Sequence, residues 1–433
     1  MSPIVIGIIG FGIVLLLMAL GIPIAVSMGG IGFLGFWYLT SLSGAIAKMA
    51  IVPFDIATSY DFSVLPLFIL MAEIIVVTGM GTDLFNLAAK WLGRLPGGLA
   101  IATIGGCAGF AAVSASSIAT ATTIGGVAIP EMKKSKYNME LATGSVIAGG
   151  TLGILIPPSG PMIIYGVLTQ TSIGKLYAAG IVPGIIAAIF YMVTIVIICT
   201  INPSLGPRGP KTNFREKVLA LGNCAEIIGL VILVFGGLII GFFTPTEAGA
   251  LGAFGAIIFS LIRRRLNWQG LKQAFISSSR TIGMIYAILI GAFLLNSFVT
   301  VSMIPTALCK WLTGLSLSPL AVMSLIIVLY IILGTAMDEA AMLVLTVPVL
   351  TPLIQSLNFD LVWFGIIMMR MMAIATISPP VGMNLFVVSG IAKDVPIERI
   401  FKGIIPFFIS DILFVALILF VPGLVLFLPN MMR

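Results

Sequence analysis

Charge is so scarce in this chain that its surface cannot face water. Of 433 residues only 22 are Lys or Arg and 15 are Asp or Glu, while 60% are hydrophobic. A soluble domain carries about 25% charged residues, so the shortfall excludes an ordinary water-soluble enzyme. Its uncharged runs are long enough to cross a bilayer, which takes roughly 20 apolar residues per helix. The expected fold is an all-α polytopic membrane protein of about 11 spans. Histidine is absent, which excludes a His-ligated metal, a His general base and a Ser-His-Asp triad. Cys107, Cys199, Cys224 and Cys309 show no CxxC spacing and read as small core residues. The net charge of +7 sits in loops, pointing to membrane orientation rather than to nucleic acid. Without a basic region before it or a cleavage site after it, the first apolar stretch reads as a span.

Apolar runs fall near 3–20, 23–40, 64–80, 141–168, 178–199, 226–241, 247–262, 281–302, 319–352, 361–390 and 403–427, with a small-residue stretch at 97–130. Arg208, Lys211, Arg215 and Lys217 crowd one loop, and Arg263, Arg264, Arg265 and Lys272 another. Both loops are therefore assigned to the cytoplasm. Counting spans back also puts Lys133, Lys134, Lys136, Lys90 and Arg94 inside. Both flanks of 97–130 then share one side, so this stretch is a re-entrant hairpin. Counting forward, 319–352 has outside flanks, and 361–390 returns to Lys393, Arg399 and Lys402 inside. One hairpin opens inward and the other outward, which is an inverted-topology repeat. A shift of 222 residues lays Pro157-Pro158-Ser159-Gly160 on Pro379-Pro380-Val381-Gly382, and Pro130 on Pro352. The chain divides into an N-terminal span (1–22), a first repeat (23–199), a cytoplasmic loop with a connecting span (200–246) and a second repeat (247–433).

Each Pro-Pro pair interrupts a run long enough to span. Proline removes a donor and clashes with the preceding turn, so these helices break. Freed backbone groups at membrane depth are tolerated where they line a cavity or find a partner. The expectation is two discontinuous helices, 141–168 and 361–390, whose carbonyls hold a cation and whose half-helix ends face a substrate. Ser114, Ser116, Ser117 and Thr120 put neutral oxygens at the first hairpin tip, where a half-helix terminus also offers amides to an anion. Ser116 maps onto Asp338 in the second. Asp338-Glu339 is a costly ionisable pair in an apolar segment and marks a functional candidate. Asp338 can ligate a cation, accept hydrogen bonds from substrate, or cap a helix. Arg370 lies mid-span and needs a carboxylate, from Glu73, from Asp411 or from an anionic substrate. Thr244-Pro245-Thr246-Glu247 has capping-box spacing.

Four stretches together carry a family resemblance: Phe243-Thr244-Pro245-Thr246-Glu247-Ala248, Gly153-Ile154-Leu155-Ile156-Pro157-Pro158-Ser159, Met337-Asp338, and Pro379-Pro380-Val381-Gly382-Met383-Asn384-Leu385-Phe386. They resemble the large membrane subunit of the tripartite ATP-independent periplasmic (TRAP) transporters. The resemblance implies a multi-pass protein of the bacterial inner membrane with an elevator-type, ion-transporter-like fold. It would import a small organic acid, a carboxylate, driven by sodium. A periplasmic binding protein would deliver substrate, and a small four-helix membrane subunit would complete the scaffold. No ATP and no cofactor are expected beyond sodium as the coupling ion. Sodium sites would lie between each hairpin tip and the neighbouring broken helix. Here those positions are Ser116, Ser117, Thr151, Gly153 and Pro157 in one half, and Gly334, Asp338, Thr376, Ser378 and Gly382 in the other. Ser116, Ser117, Ser159, Asp338 and Arg370 are the expected substrate contacts. Three features depart from the family's usual pattern: Ala115 at the first tip, Ser378 before the second Pro-Pro, and Arg370 where a glutamate-containing helix is common. The competing classes are a stand-alone ion-coupled dicarboxylate carrier of related hairpin architecture, a channel, and an intramembrane enzyme. Few pore-lining charges speak against the channel, and the absence of histidine and of paired catalytic carboxylates beyond Asp338-Glu339 against the enzyme.

Overall fold

A computed structural model describes residues 1–209, 211–314, 317–335, 337, 339–378 and 382–432. Asp338 and Pro379-Pro380-Val381, singled out above, lie outside the described residues. The described chain is helical throughout. It opens with α1 (Pro3–Ala19), α2 (Ile24–Leu39), α3 (Leu42–Thr58), α4 (Val64–Val77) and α5 (Met80–Leu92). There follow α6 (Gly98–Ser114), α7 (Ser117–Lys134), α8 (Met139–Leu155), α9 (Gly160–Thr169) and α10 (Ile173–Ile201). After α11 (Phe214–Asn223) come α12 (Ala225–Ile240), α13 (Pro245–Ile262), α14 (Trp268–Val301) and α15 (Ile304–Gly314). The last six are α16 (Pro319–Gly334), α17 (Glu339–Ser356), α18 (Leu361–Ala375), α19 (Met383–Ile391), α20 (Ile397–Phe420) and α21 (Gly423–Met431).

Among the described residues, five helices (α10, α13, α14, α17 and α20) are long and apolar enough to cross a membrane, and two bent pairs, α3 with α4 and α11 with α12, would bring the number to seven. Seven shorter helices, α1, α2, α6, α8, α9, α16 and α18, are apolar as well. The breaks explain the lengths of α8, α9 and α18, because each predicted broken span is divided into two pieces.

The repeat is visible in the helix boundaries. The 222-residue shift carries α7 onto α17 residue for residue, and α6, α8, α9 and α10 onto α16, α18, α19 and α20 within a few residues. The caps match as well. Asn138 Oδ1 accepts from the amides of Glu140 and Leu141, and Asp360 Oδ1 accepts from those of Val362 and Trp363. Each satisfies orphan donors of a helix N-terminus. The same shift carries α1 onto α12, α2 onto α13, α5 onto α15, and the bent pair α3–α4 onto the single long helix α14. The predicted capping box opens α13, with Thr244 Oγ1 accepting from Glu247 N while Glu247 Oε2 accepts from Thr244 N.

Two packing groups result. The outer one is built where α14 lies along α2, α3 and α4, and α13 lies along α4 and α12. The inner one gathers both hairpins and both broken helices, with α8 in contact with α6, α7, α18 and α20. Between the groups, the chain runs through α5 in the first repeat and α15 in the second. Gly144 of α8 lies against the Gly403 carbonyl of α20, and Gly403 against the Glu140 carbonyl, so a Cβ at either place would strike backbone. The repeats are interlocked there, not merely adjacent.

Segments assigned to the cytoplasm by their charges meet one another. Lys90 pairs with Glu216 at 2.6 Å, Lys133 with Asp394 at 2.5 Å, Arg265 with Asp83 and Arg263 with Glu226. Backbone bonds tie Gly209 to Gly93 and Asn138 to Leu205. At the opposite end Tyr60, Asp61, Gln170, Thr171 and Thr246 line a cleft of about 370 Å³.

Candidate functional site

The first hairpin turns at Ala115, whose φ of +52° is left-handed, a conformation that glycine adopts at no steric cost. Ser116 then caps α7, its hydroxyl accepting from Ala119 N at 3.2 Å. Thr120 Oγ1 donates to the Ser116 carbonyl at 2.8 Å and lies 2.7 Å from Ser114 Oγ. This tip is held against the first broken helix on two sides. Ala115 forms an isolated parallel bridge with Ser159, and the Gly160 amide donates to the Ala115 carbonyl. On the other side Gly153 leaves no room: a Cβ there would stand 2.7 Å from the Ser116 carbonyl oxygen. Ile156 ends α8, a cis Pro157-Pro158 bond follows, and α9 starts at Gly160.

The second half is built alike as far as it is described. Gly334, at the end of α16, packs on Ala375, where an added Cβ would approach Ala375 Cβ at 2.6 Å. Past α18 the chain turns through Thr376 and Ser378. Their hydroxyls donate to the Ala373 carbonyl at 2.8 Å and to the Ile374 carbonyl at 2.7 Å. Gly382 N donates to the Ser378 carbonyl at 3.0 Å, and a Cβ on Gly382 would stand 2.9 Å from the Thr376 carbonyl oxygen.

One residue joins the halves. Asn384, fully buried on α19, accepts from Ser117 Oγ at 2.9 Å, and its Nδ2 donates to Thr376 Oγ1 at 3.4 Å. Ser116, Ser117, Gly153 and Ser159 are thereby gathered with Thr376, Ser378 and Gly382. Pro157 belongs to the break itself but also lines an apolar cavity of about 380 Å³ with Ala108, Ile185 and Phe235. Thr151 and Arg370 lie elsewhere on the same helices. Thr151 Oγ1 is 3.0 Å from the Tyr191 hydroxyl, which accepts from Arg370 Nη2, and Arg370 pairs with Asp411. Of the partners open to Arg370, the structure supplies the protein carboxylate of Asp411. Asn384 was not among the predicted contacts. Its signal was its place in the 379–386 motif, directly after the break in the second discontinuous helix.

The cluster is suited to a small monovalent cation. Thr120, Thr376 and Ser378 donate their hydroxyl hydrogens to carbonyls of their own segments, leaving lone pairs to accept. Among the described residues the oxygens gathered here are the hydroxyls of Ser116, Ser117, Thr376 and Ser378, the Asn384 side-chain amide and backbone carbonyls. The N-termini of α7, α9 and α19 add partial positive charge nearby, suited to an anion.

The model of the DctM component of the tripartite ATP-independent periplasmic transporters matches residues 11–424. The chain belongs to this family. It is a transport protein of the inner membrane rather than an enzyme. It is similar to the isethionate TRAP transporter permease protein DctMQ of Oleidesulfovibrio alaskensis, with 34% identity over 96% of this chain and 65% of that one. The chain thus spans about two thirds of that longer relative. The C4-dicarboxylate TRAP transporter large permease protein DctM of Pseudomonas aeruginosa is 33% identical over 89% of this chain and 90% of its own. The crystal structure of the Alcanivorax borkumensis YdaH transporter, described as having an unusual topology, aligns with a TM-score of 0.57 at 14% identity, over 83% of this chain and 85% of that one. At that identity it supports the fold alone.

Proposed function

We propose that this DctM-family chain is the large permease of a sodium-coupled importer of a small organic acid, moving by an elevator mechanism. The observation that carries this reading is the Ser117–Asn384–Thr376 chain, which brings the first hairpin tip and the second broken helix together around neutral oxygens. Sodium binds at the paired tips: Ser116, Gly153 and the backbone near Pro157 on one side, Gly334, Asp338, Thr376, Ser378 and Gly382 on the other. Ser117, Ser159 and the helix N-termini receive the anionic group of the substrate. The inner packing group is the moving body, α5 and α15 are its arms, and the outer group is the fixed scaffold. The relatives' names, isethionate and C4-dicarboxylate, both denote small organic anions, which supports a carboxylate or a similar acid as cargo. A periplasmic binding protein delivers it, and a small membrane subunit widens the scaffold.

The test is uptake into proteoliposomes containing both membrane subunits, with binding protein outside. A sodium gradient is expected to drive accumulation only when the binding protein is present. Ser117→Ala and Asp338→Ala are expected to abolish uptake while the protein still folds. Uptake driven by a proton gradient in the absence of sodium would overturn the coupling assignment.

A further inference from the structure

Thr151, Tyr191, Arg370 and Asp411 come from α8, α10, α18 and α20, two helices from each repeat. Arg370 and Asp411 are both fully buried. Arg370 Nη2 donates to Asp411 Oδ1 and, at 2.5 Å, to the Tyr191 hydroxyl. The guanidinium also lies 5.3 Å from the Tyr191 ring centre and 5.2 Å from that of Phe414. Arg370 Nε and Nη1 and Asp411 Oδ2 have no hydrogen-bond partner among the described residues. The pair is therefore single-pronged, with three of its five side-chain polar atoms idle. A buried ion pair of that kind is a poor stabiliser, because desolvating two charges offsets their attraction unless the remaining polar atoms are also satisfied. Its retained property is the placement of charge.

That placement matters because Arg370 stands on α18 six residues before Thr376. At 1.5 Å per residue the separation is on the order of 10 Å along the helix. A bare guanidinium that close, inside protein, would weaken the binding of a sodium ion by roughly tenfold or more. We propose that Asp411 is the counter-charge that lets sodium bind at the end of α18, cancelling an arginine that is needed to tie α18, through Tyr191, to Thr151 of the opposite repeat. Arg370 and Asp411 are positioning residues in this account; neither touches cargo. The inference rests on the sodium-coupled reading above.

The test is a sodium titration of the purified full-length protein, read by thermal unfolding and by intrinsic tryptophan fluorescence. Asp411→Asn leaves the arginine uncancelled and is expected to raise the sodium midpoint roughly tenfold. Arg370→Gln leaves the carboxylate uncancelled and is expected to lower the midpoint. Tyr191→Phe changes no charge and is expected to stay within about threefold of wild type. A purely structural role would move Asp411→Asn and Arg370→Gln in the same direction, and that outcome overturns the proposal. So does an unchanged midpoint in either variant, or a Tyr191→Phe shift as large as that of Asp411→Asn. If Asp411→Asn does not fold, the sign of the Arg370→Gln shift decides alone, and a midpoint at or above wild type overturns the proposal. A wild-type protein indifferent to sodium would instead sink the underlying coupling assignment.

Discussion

Ser117 Oγ donates to Asn384 Oδ1 at 2.9 Å across 267 residues of sequence, and both side chains are buried. Removing either leaves the other's polar group without its partner, which costs about 1–3 kcal/mol. Asn384→Ala is therefore expected to lower thermal stability modestly and to cut sodium-dependent uptake by roughly tenfold or more. A double-mutant cycle with Ser117→Ala should return a coupling of about 1 kcal/mol. Additive effects would show that the bond does not join the two halves energetically.

Gly153 faces the Ser116 carbonyl so closely that any side chain must displace the hairpin tip. Gly153→Ala is expected to impair transport severely with little loss of secondary structure. Gly126→Ala is the control, since a Cβ at that position meets nothing within 4 Å. Equal uptake by the two variants would contradict the assignment of the tip contact to the site.

Thr376 and Thr122 both donate their hydroxyls to carbonyls of their own helices, at 2.8 Å and 2.7 Å. Only Thr376 is buried beside Asn384. Thr376→Ala is expected to raise the sodium concentration giving half-maximal uptake several-fold, whereas Thr122→Ala leaves it unchanged. Matched sodium curves for the two variants would remove Thr376 from the ligand set.

The Lys133–Asp394 pair joins the inner end of the first hairpin to the loop after α19. Hydrogen bonding from Lys133 holds the Asp394 carboxyl below its ordinary value. A depressed carboxyl contributes stability above its unfolded pKa, and that contribution is lost as pH falls through the folded one. Wild type and Lys133→Gln should thus differ in unfolding temperature at neutral pH and converge below about pH 4. High salt should narrow the neutral-pH gap, because both groups are exposed. A gap that does not narrow at all as pH falls below about 4 would assign it to packing instead.

The parts of this architecture that were legible from the residues are those set by backbone chemistry and by charge. Pro157-Pro158 announced the break between α8 and α9, and the lysines at 133–136 announced that α6 and α7 form a hairpin. What escaped was everything decided by a distant partner. Periodicity could offer Glu73, Asp411 or a substrate to Arg370, but it could not say which helix would stand opposite. Helix α3 was missed because Lys48, Asp55 and Pro53 interrupt its apolar pattern. Helix α5 escapes the apolar pattern because Asp83 and Lys90 mark it as polar, yet in the first repeat it links the two packing groups. Asn384 stood in a recognised motif, but its role came from Ser117, most of a chain length away.

The mutual seating of Gly144 and Gly403 bears on how such a molecule is made. Two halves that merely touched could fold in turn as they leave the ribosome and dock afterwards. Here Gly144 leaves a notch on α8 that is filled by the backbone at Gly403 of α20, among the last helices to be synthesised. The first half must therefore wait in the bilayer with that notch open, and severing the chain between the repeats would leave each fragment with an unfilled face in place of half a working protein.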